Sequence, residues 1–170
     1  MRRAVMAVAV VVMILGAAPA RAAMVPGFSI GVDLVATVPF LEWAEDSGFG
    51  IGALAYGAYT ALPVVHFTAR TGYIHGFQKG PKSIAHIPLL LGIKVYPVTA
   101  LGLYAAVEAG PVWNQRTVSA EGQGFQTNWG ATGWIGFTFG PVDGRVAVFM
   151  PDLVNVDKML GLLISVVYRW

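Results

Sequence analysis

The chain has 170 residues, enough for one domain, with 56% hydrophobic and only 12% charged residues and a mean hydropathy of +0.64. A domain wetted on all sides carries about 25% charged residues, so part of this surface is not built for water. The lack of cysteine excludes a disulfide scaffold, cysteine-ligated zinc and an anchor through a lipidated N-terminal cysteine.

The first element is an export signal. Arg2 and Arg3 precede an apolar run from Ala4 to Leu15, and Ala20-Arg21-Ala22 fits the small-residue cleavage pattern. Cleavage after Ala22 makes residues 1–22 a secretory signal peptide and residues 23–170 the mature domain. The competing reading, a retained membrane helix, has an apolar run shorter than the roughly 20 residues a span needs. Loss of Arg2, Arg3 and Arg21 leaves eight basic residues against nine acidic ones, a net charge of −1. The basic balance of the full chain is therefore no sign of nucleic-acid binding, and "QKGPK" around Lys79 and Lys82 reads as a solvated loop.

Eight strands follow, at Phe28–Val38, Phe49–Tyr59, Val64–His75, Ile87–Tyr96, Leu101–Val112, Thr127–Phe139, Arg145–Met150 and Met159–Trp170. Clusters of Gly, Pro, Asp, Asn and Ser separate most of them. Ile87 to Trp113 is the best candidate for an apolar helix, but it contains Lys94, Glu108 and three prolines. One charge at the centre of a membrane helix costs about 2.5–3.5 kcal/mol, so two strands around "PVTA" suit the segment better. The connections alternate in length. "PFLEWAEDSG", "GFQKGPKSIAH", "WNQRTVSAEGQGFQ" and "PDLVNVDK" are long, whereas "TALP", "PVTA" and "GPVDG" are short. Transmembrane barrels alternate in this way, with short turns on the periplasmic side and an even strand number. A soluble sandwich has no reason to do so.

Side chains alternate along a strand, and six of the eight strands show one clean apolar face. In the first, Phe28, Ile30, Val32, Leu34, Ala36 and Val38 oppose Ser29, Gly31, Asp33 and Thr37. In the fourth, Ile87, Leu89, Leu91, Ile93 and Val95 oppose Gly92, Lys94 and Tyr96. The last strand is apolar on even numbers from Leu160 to Trp170, against Ser165 and Arg169. The second strand is ambiguous, with Leu54 and Tyr56 opposite Ala53, Ala55 and Gly57. The faces that carry polar residues hold about one charge each (Asp33, Arg70, Lys94, Glu108, Arg145, Arg169) and are rich in Gly and Thr. That is too few charges for a water-facing sheet and suits a narrow lumen. The apolar faces then meet lipid. Aromatics near strand ends fit two interfacial girdles, with Trp43, Trp113 and Trp129 on the loop side and Tyr59, Tyr96, Phe139, Tyr168 and Trp170 on the turn side.

"IPLLLGIKVYP" followed by "GLYAAVEAGPVW" resembles the paired strands of the small bacterial outer-membrane β-barrel domain family, a resemblance that extends over the whole mature chain. It implies an all-β fold, an eight-stranded antiparallel up-and-down transmembrane β-barrel, in the outer membrane of a Gram-negative bacterium. It implies no single activity. The ending "LLISVVYRW" resembles the signal read by the barrel-assembly machinery, with Trp170 and Tyr168 as its aromatic positions and Ser165 where a glycine is common.

Chemistry is sparse. Asp33 and Glu108 are expected to pair with Arg70, Lys94, Arg145 and His66 in a lumen charge network, because buried charges are tolerated only when paired. An eight-stranded barrel is just wide enough for its own side chains, so this network is expected to plug the lumen. His75 and His86 flank the second long connection as surface loop residues, without an acidic third ligand for a metal. "EGQGF" at Glu121–Phe125 lacks the strand, helix and lysine of a phosphate loop and reads as an external loop tip. The expectation is a non-enzymatic barrel with a structural, surface-recognition or small-solute role and no cofactor. The alternative is a barrel enzyme acting on outer-leaflet lipid, such as a lipid A deacylase or acyltransferase, which needs a His/Ser pair on the lipid-facing rim. The expected partners are the outer-membrane bilayer, its lipopolysaccharide and the assembly machinery, with no nucleic acid, and the expected state is a monomer.

Overall fold

The computed structural model describes residues 27–79, 82–98, 101–118 and 122–170. The signal peptide expected at residues 1–22 lies outside the described residues. Eight strands, β1 (Phe28–Phe40), β2 (Ser47–Leu62), β3 (Val65–Gln78), β4 (Lys82–Val98), β5 (Leu103–Val118), β6 (Gly122–Phe139), β7 (Val142–Met150) and β8 (Leu160–Arg169), form one closed antiparallel barrel. Each strand pairs with the next in sequence, and β1 closes on β8 from Gly31↔Arg169 to Phe40↔Leu160. Closure removes both sheet edges, so no backbone polar row is left facing lipid. No helix among the described residues is long and apolar enough to cross a membrane.

The period-two pattern sets which side chains face out. Ile30, Val32, Leu34 and Val38 of β1, Leu89, Leu91, Ile93 and Val95 of β4, and Ile164 and Val166 of β8 are all exposed, whereas Asp33, Val35, Thr37, Leu90, Lys94, Leu163 and Ser165 between them are buried. A surface this apolar, wrapped around a buried polar interior, inverts the soluble arrangement and belongs in lipid. The ambiguous second strand is resolved with Leu54 and Tyr56 inward and Ala53 and Ala55 outward.

The turn side is tight. Pro63 and Val64 alone join β2 to β3, and Gly140 and Pro141 alone join β6 to β7. Gly140 has φ +57°, a left-handed conformation that glycine adopts without a steric penalty. The loop side departs from expectation. A tilted strand crosses the membrane in about 9–11 residues, yet β4, β5 and β6 have 17, 16 and 18. Most of "GFQKGPKSIAH" and "WNQRTVSAEGQGFQ" is therefore strand rather than loop. The β5–β6 ladder continues to Val118↔Gly122, so Gly122–Phe125 belongs to a strand and not to a loop tip, while Glu121 lies outside the described residues. The Gly, Ser and Gln residues read as punctuation do not stop a ladder already set by its neighbours.

The β1–β2 connection carries one short helical turn, α1 (Trp43–Asp46), entered through Leu41 at φ +59°. The Trp43 N–H donates to the Lys158 carbonyl at 3.0 Å, tying α1 to the β7–β8 connection across the mouth.

Candidate functional site: the filled lumen and its loop-side mouth

From the turn side to the loop side, inward side chains stack in four layers. The layer nearest the turns is built on Asp143. Its carboxylate accepts from Lys94 Nζ at 2.6 Å and from Thr138 Oγ1 at 2.8 Å, and is ion-paired with Arg169 Nη2 at 3.0 Å. Because Thr138 donates to Asp143, the Tyr96 hydroxyl at 2.9 Å donates to Thr138. Lys94 Nζ also lies 3.8 Å from the centroid of the Tyr104 ring, a cation–π contact. His66 belongs to this layer, with Nδ1 2.9 Å from Thr60 Oγ1 and its ring edge on Tyr96.

The second layer joins four of the six expected network residues, Asp33, Arg70, Glu108 and Arg145, while His66 and Lys94 lie in the first. Arg70 bridges Asp33 at 3.2 Å and Glu108 at 2.9 Å, and Arg145 also reaches Asp33. Arg145 Nε donates to Ser165 Oγ at 2.8 Å. Glu108 accepts further from Thr68 at 2.7 Å, Thr132 at 3.2 Å and Trp134 Nε1 at 3.1 Å. The Arg70 and Arg145 guanidinium carbons sit 4.3 and 4.5 Å from the Trp134 ring centroid. Two cations and two anions balance here. Lys94, expected in the same network, lies instead in the first layer with Asp143. Asp143 was missed because "GPVDG" reads as a turn. The signal was available, since Asp143 stands two residues before Arg145 and so on the same face.

The third layer is apolar: Val35, Leu54, Ile74, Leu90, Val112, Phe149 and Leu163 are all buried. A Gly- and Thr-rich reading of the polar faces does not announce this layer. Above it, Trp43 closes the barrel as a lid. It is 3% exposed and packs edge-on against His86 at 4.9 Å and Phe149 at 6.1 Å. Trp43 is therefore part of the plug and not of an interfacial girdle. Tyr96 likewise is buried in the lumen and not at the turn-side interface. The turn-side girdle consists of Phe28, Tyr59, Phe139, Tyr168 and Trp170, with Phe28 against Tyr59 and Tyr168 against Trp170. On the loop side the outward aromatics include Phe40, the half-buried Trp113, Trp129 and a cluster on β2 and β3, where Phe49 stacks on Phe77 at 6.0 Å.

His86 is also corrected. It is buried below the mouth with Nδ1 2.6 Å from Asn114 Oδ1. His75 faces outward on the neighbouring strand, 3.3 Å from the Tyr73 hydroxyl. The two histidines thus lie on opposite faces of the wall. His66 and His86 point away from the lipid-facing rim that a lipid-modifying site would need, and among the described residues His75 has no serine partner. Nor does any group of three or more His, Cys, Asp or Glu among the described residues form a metal site.

Outside the lid lies a cavity of about 660 Å³, lined by Trp43, Ile84, Asn114, Phe125, Met159 and the charged residues Glu42, Asp46, Arg116, Asp152 and Lys158. Its acidic groups are engaged. Asp46 accepts from Lys82 at 2.7 Å and Arg116 at 2.6 Å. Asp152 accepts from the Val154 N–H at 2.9 Å and from the Asn128 and Asn155 amides at 2.9 and 2.7 Å.

These features define a class: an eight-stranded transmembrane β-barrel with an apolar exterior, a lumen closed by its own side chains and a pocketed outer mouth. Solved structures agree on the fold. Neisserial surface protein A is similar with a TM-score of 0.60 at 14% identity, over 84% of this chain and 96% of that one. The attachment invasion locus protein Ail of Yersinia pestis gives 0.57 at 11%, over 86% and 100%. The N-terminal β-barrel domain of Pseudomonas aeruginosa OprF gives 0.52 at 14%, over 84% and 97%. A de novo designed transmembrane β-barrel matches as well as the OprF domain does, at 0.52 and 12%, so this likeness carries architecture and no activity. No protein-family model and no curated protein matches the sequence.

Proposed function

We propose that this chain is a non-conducting, non-enzymatic outer-membrane protein whose barrel is a rigid anchor for a recognition surface at its loop side. The observation that carries the reading is the continuous fill of the lumen, two ion-paired layers below an apolar layer and the Trp43 lid. A solute path would have to break both the pairing and the packing at once. The extended β3–β4 and β5–β6 hairpins and the mouth cavity are where the exposed polar chemistry is concentrated, as expected of a display scaffold. Two of the similar barrels are named for the cell surface or for attachment, which supports the same kind of role. The partners in this reading are the bilayer with its lipopolysaccharide, met by the outward aromatics, and the barrel-assembly machinery, and the barrel acts as a monomer.

Planar-bilayer recording tests the reading. The folded mature protein is expected to give no conductance steps above the bare membrane, and cells that overproduce it are expected to keep an unchanged lipid A profile. Discrete steps would overturn the closed lumen, and a deacylated or palmitoylated lipid A would overturn the non-enzymatic role.

A further inference from the structure

The mouth contains groups that the closed lumen does not use. A Cβ at Gly161 would collide with the six-membered ring of Trp43, so glycine there lets that ring seat against the wall. The pyrrole edge, with Nε1, is on the other side of the indole, and Trp43 lines the mouth cavity. Among the described residues, Trp43 Nε1 has no hydrogen-bond partner. Asn114 lines the same cavity at 6% exposure, and among the described residues its Nδ2 is unpartnered as well, although its Oδ1 is committed to His86. Buried polar groups are almost always paired. Two buried nitrogens without a described partner, on two residues that line one cavity, mark a place for a ligand's acceptor atoms.

The rest of the lining narrows the ligand. Asp46 and Asp152 are engaged on both oxygens by protein donors and Glu42 faces Lys158 at 3.8 Å, which disfavours a cation. Arg116 is paired with Asp46 at 2.6 Å, and Lys158 stands 3.8 Å from Glu42, so a polyanion would have to strip both. Phe125 at the rim is 67% exposed, and Ile84 and Met159 add an apolar wall. The open chemistry is neutral, donor-rich and partly aromatic. A cavity of about 660 Å³ is within the usual range for small-molecule pockets and holds roughly one or two sugar rings.

We propose that the loop-side mouth binds a neutral N-acetylated sugar, whose acetamido carbonyl and hydroxyl oxygens accept from the Trp43 and Asn114 donors while the C–H face of the ring lies on Phe125. The closed floor suits the end of a glycan rather than a chain passing through. This deepens the recognition role proposed above and rests on it.

The test is a titration of the folded barrel in lipid nanodiscs with N,N′-diacetylchitobiose, read by the indole N–H resonance of Trp43, which is assigned by its loss in Trp43→Phe. The resonance is expected to shift and saturate. Maltose, of similar size without the acetamido group, is expected to bind at least about tenfold more weakly, the equivalent of one hydrogen bond. Phe125→Ala and Asn114→Leu are each expected to weaken binding by a similar factor. Phe125 is exposed on a hairpin, so its variant tests the site even where Asn114→Leu fails to fold. An unmoved Trp43 resonance, an equal response to maltose, binding unaffected by Phe125→Ala, or preference for an N-acetylated dipeptide amide would each overturn the proposal. Conductance is a separate reading. A barrel that conducts yet binds the sugar removes the closed lumen and leaves this site standing, while a silent barrel that ignores the sugar does the reverse.

Discussion

Arg70 decides the charge balance of the barrel at the scale of single residues. It is the link between Asp33 and Glu108, and all three side chains are nearly inaccessible to solvent. Removing one partner of such a set leaves an uncompensated buried charge, at a cost of about 3–5 kcal/mol. Arg70→Ala is therefore expected to lower the urea midpoint of the folded barrel strongly, followed by tryptophan fluorescence. It is expected to leave the lumen non-conducting, because the apolar layer and Trp43 still close it. Unchanged stability would rule out a structural role for the network. Lys94→Met is expected to cost less, about 1–3 kcal/mol, since Asp143 keeps Arg169 as an ion-pair partner and Thr138 as a donor. A loss equal to that of Arg70→Ala would show that Arg169, at the rim, does not sustain Asp143. Asp33, Arg70, Glu108 and Arg145 could be read from the sequence because each is a lone charge on an otherwise quiet strand face. Asp143 is harder to read, because the turn chemistry of Pro141 and Gly144 outweighs the single step of alternation that puts it on the face of Arg145. Tyr96 was misplaced for a related reason. An aromatic near a strand end reads as interfacial, and only its even number, shared with Lys94, puts it inside.

The element with most consequence is also the shortest. α1 has four residues, too few to be stable alone, since a helical nucleus is costly. It is held by the backbone bond from Trp43 to Lys158 and by the seat of the indole on β8 at Gly161. Gly161→Ala is expected to unseat the lid without touching the charged layers. Overpacking of this kind costs about 1–3 kcal/mol, and hydrogen exchange at the Trp43 indole is expected to quicken. Exchange as slow as in the native barrel would mean that the seat at Gly161 does not hold the lid. No period announces this lid, because a one-turn helix inside a polar connection has none, and "PFLEWAEDSG" offered Trp43 only as a girdle residue. The long strands pose the opposite problem. On the loop side polar residues such as Lys82, Ser83, Asn114 and Arg116 enter β4 and β5, so the apolar alternation that marks a strand fades while the hydrogen-bonded ladder goes on to Val118↔Gly122. Strand existence was legible from alternation within the lipid span, and strand length was not.

For the molecule as a whole, the seam between β1 and β8 is what makes a sheet into a barrel. Ten residue pairs hold it, from Gly31↔Arg169 to Phe40↔Leu160, and the Trp170 N–H adds a bond to the Ile30 carbonyl at 3.0 Å. Closure was legible early, from the alternation of long and short connections and the even strand number, since neither depends on locating any strand end. A closed barrel of this kind is expected to migrate faster in detergent gels before boiling than after it, and a mobility indifferent to boiling would deny closure. Trp170 allows a sharper separation. Deleting it removes one ladder bond, worth about 0.5–1.5 kcal/mol, and one half-wetted ring of the turn-side girdle. Such a loss is small against a seam of ten pairs, so purified Trp170-deleted protein is expected to refold into detergent and keep its heat-modifiable mobility. Appending a short charged tail after Trp170 changes even less, because the added residues enter water on the turn side. If the terminal aromatic serves only the stability of the finished barrel, both variants will assemble in cells almost as well as they refold in the tube. If it is read during insertion, both will refold normally in the tube yet leave little heat-modifiable protein in the cellular membrane fraction. The second outcome is expected, and normal insertion of either variant in cells would refute it.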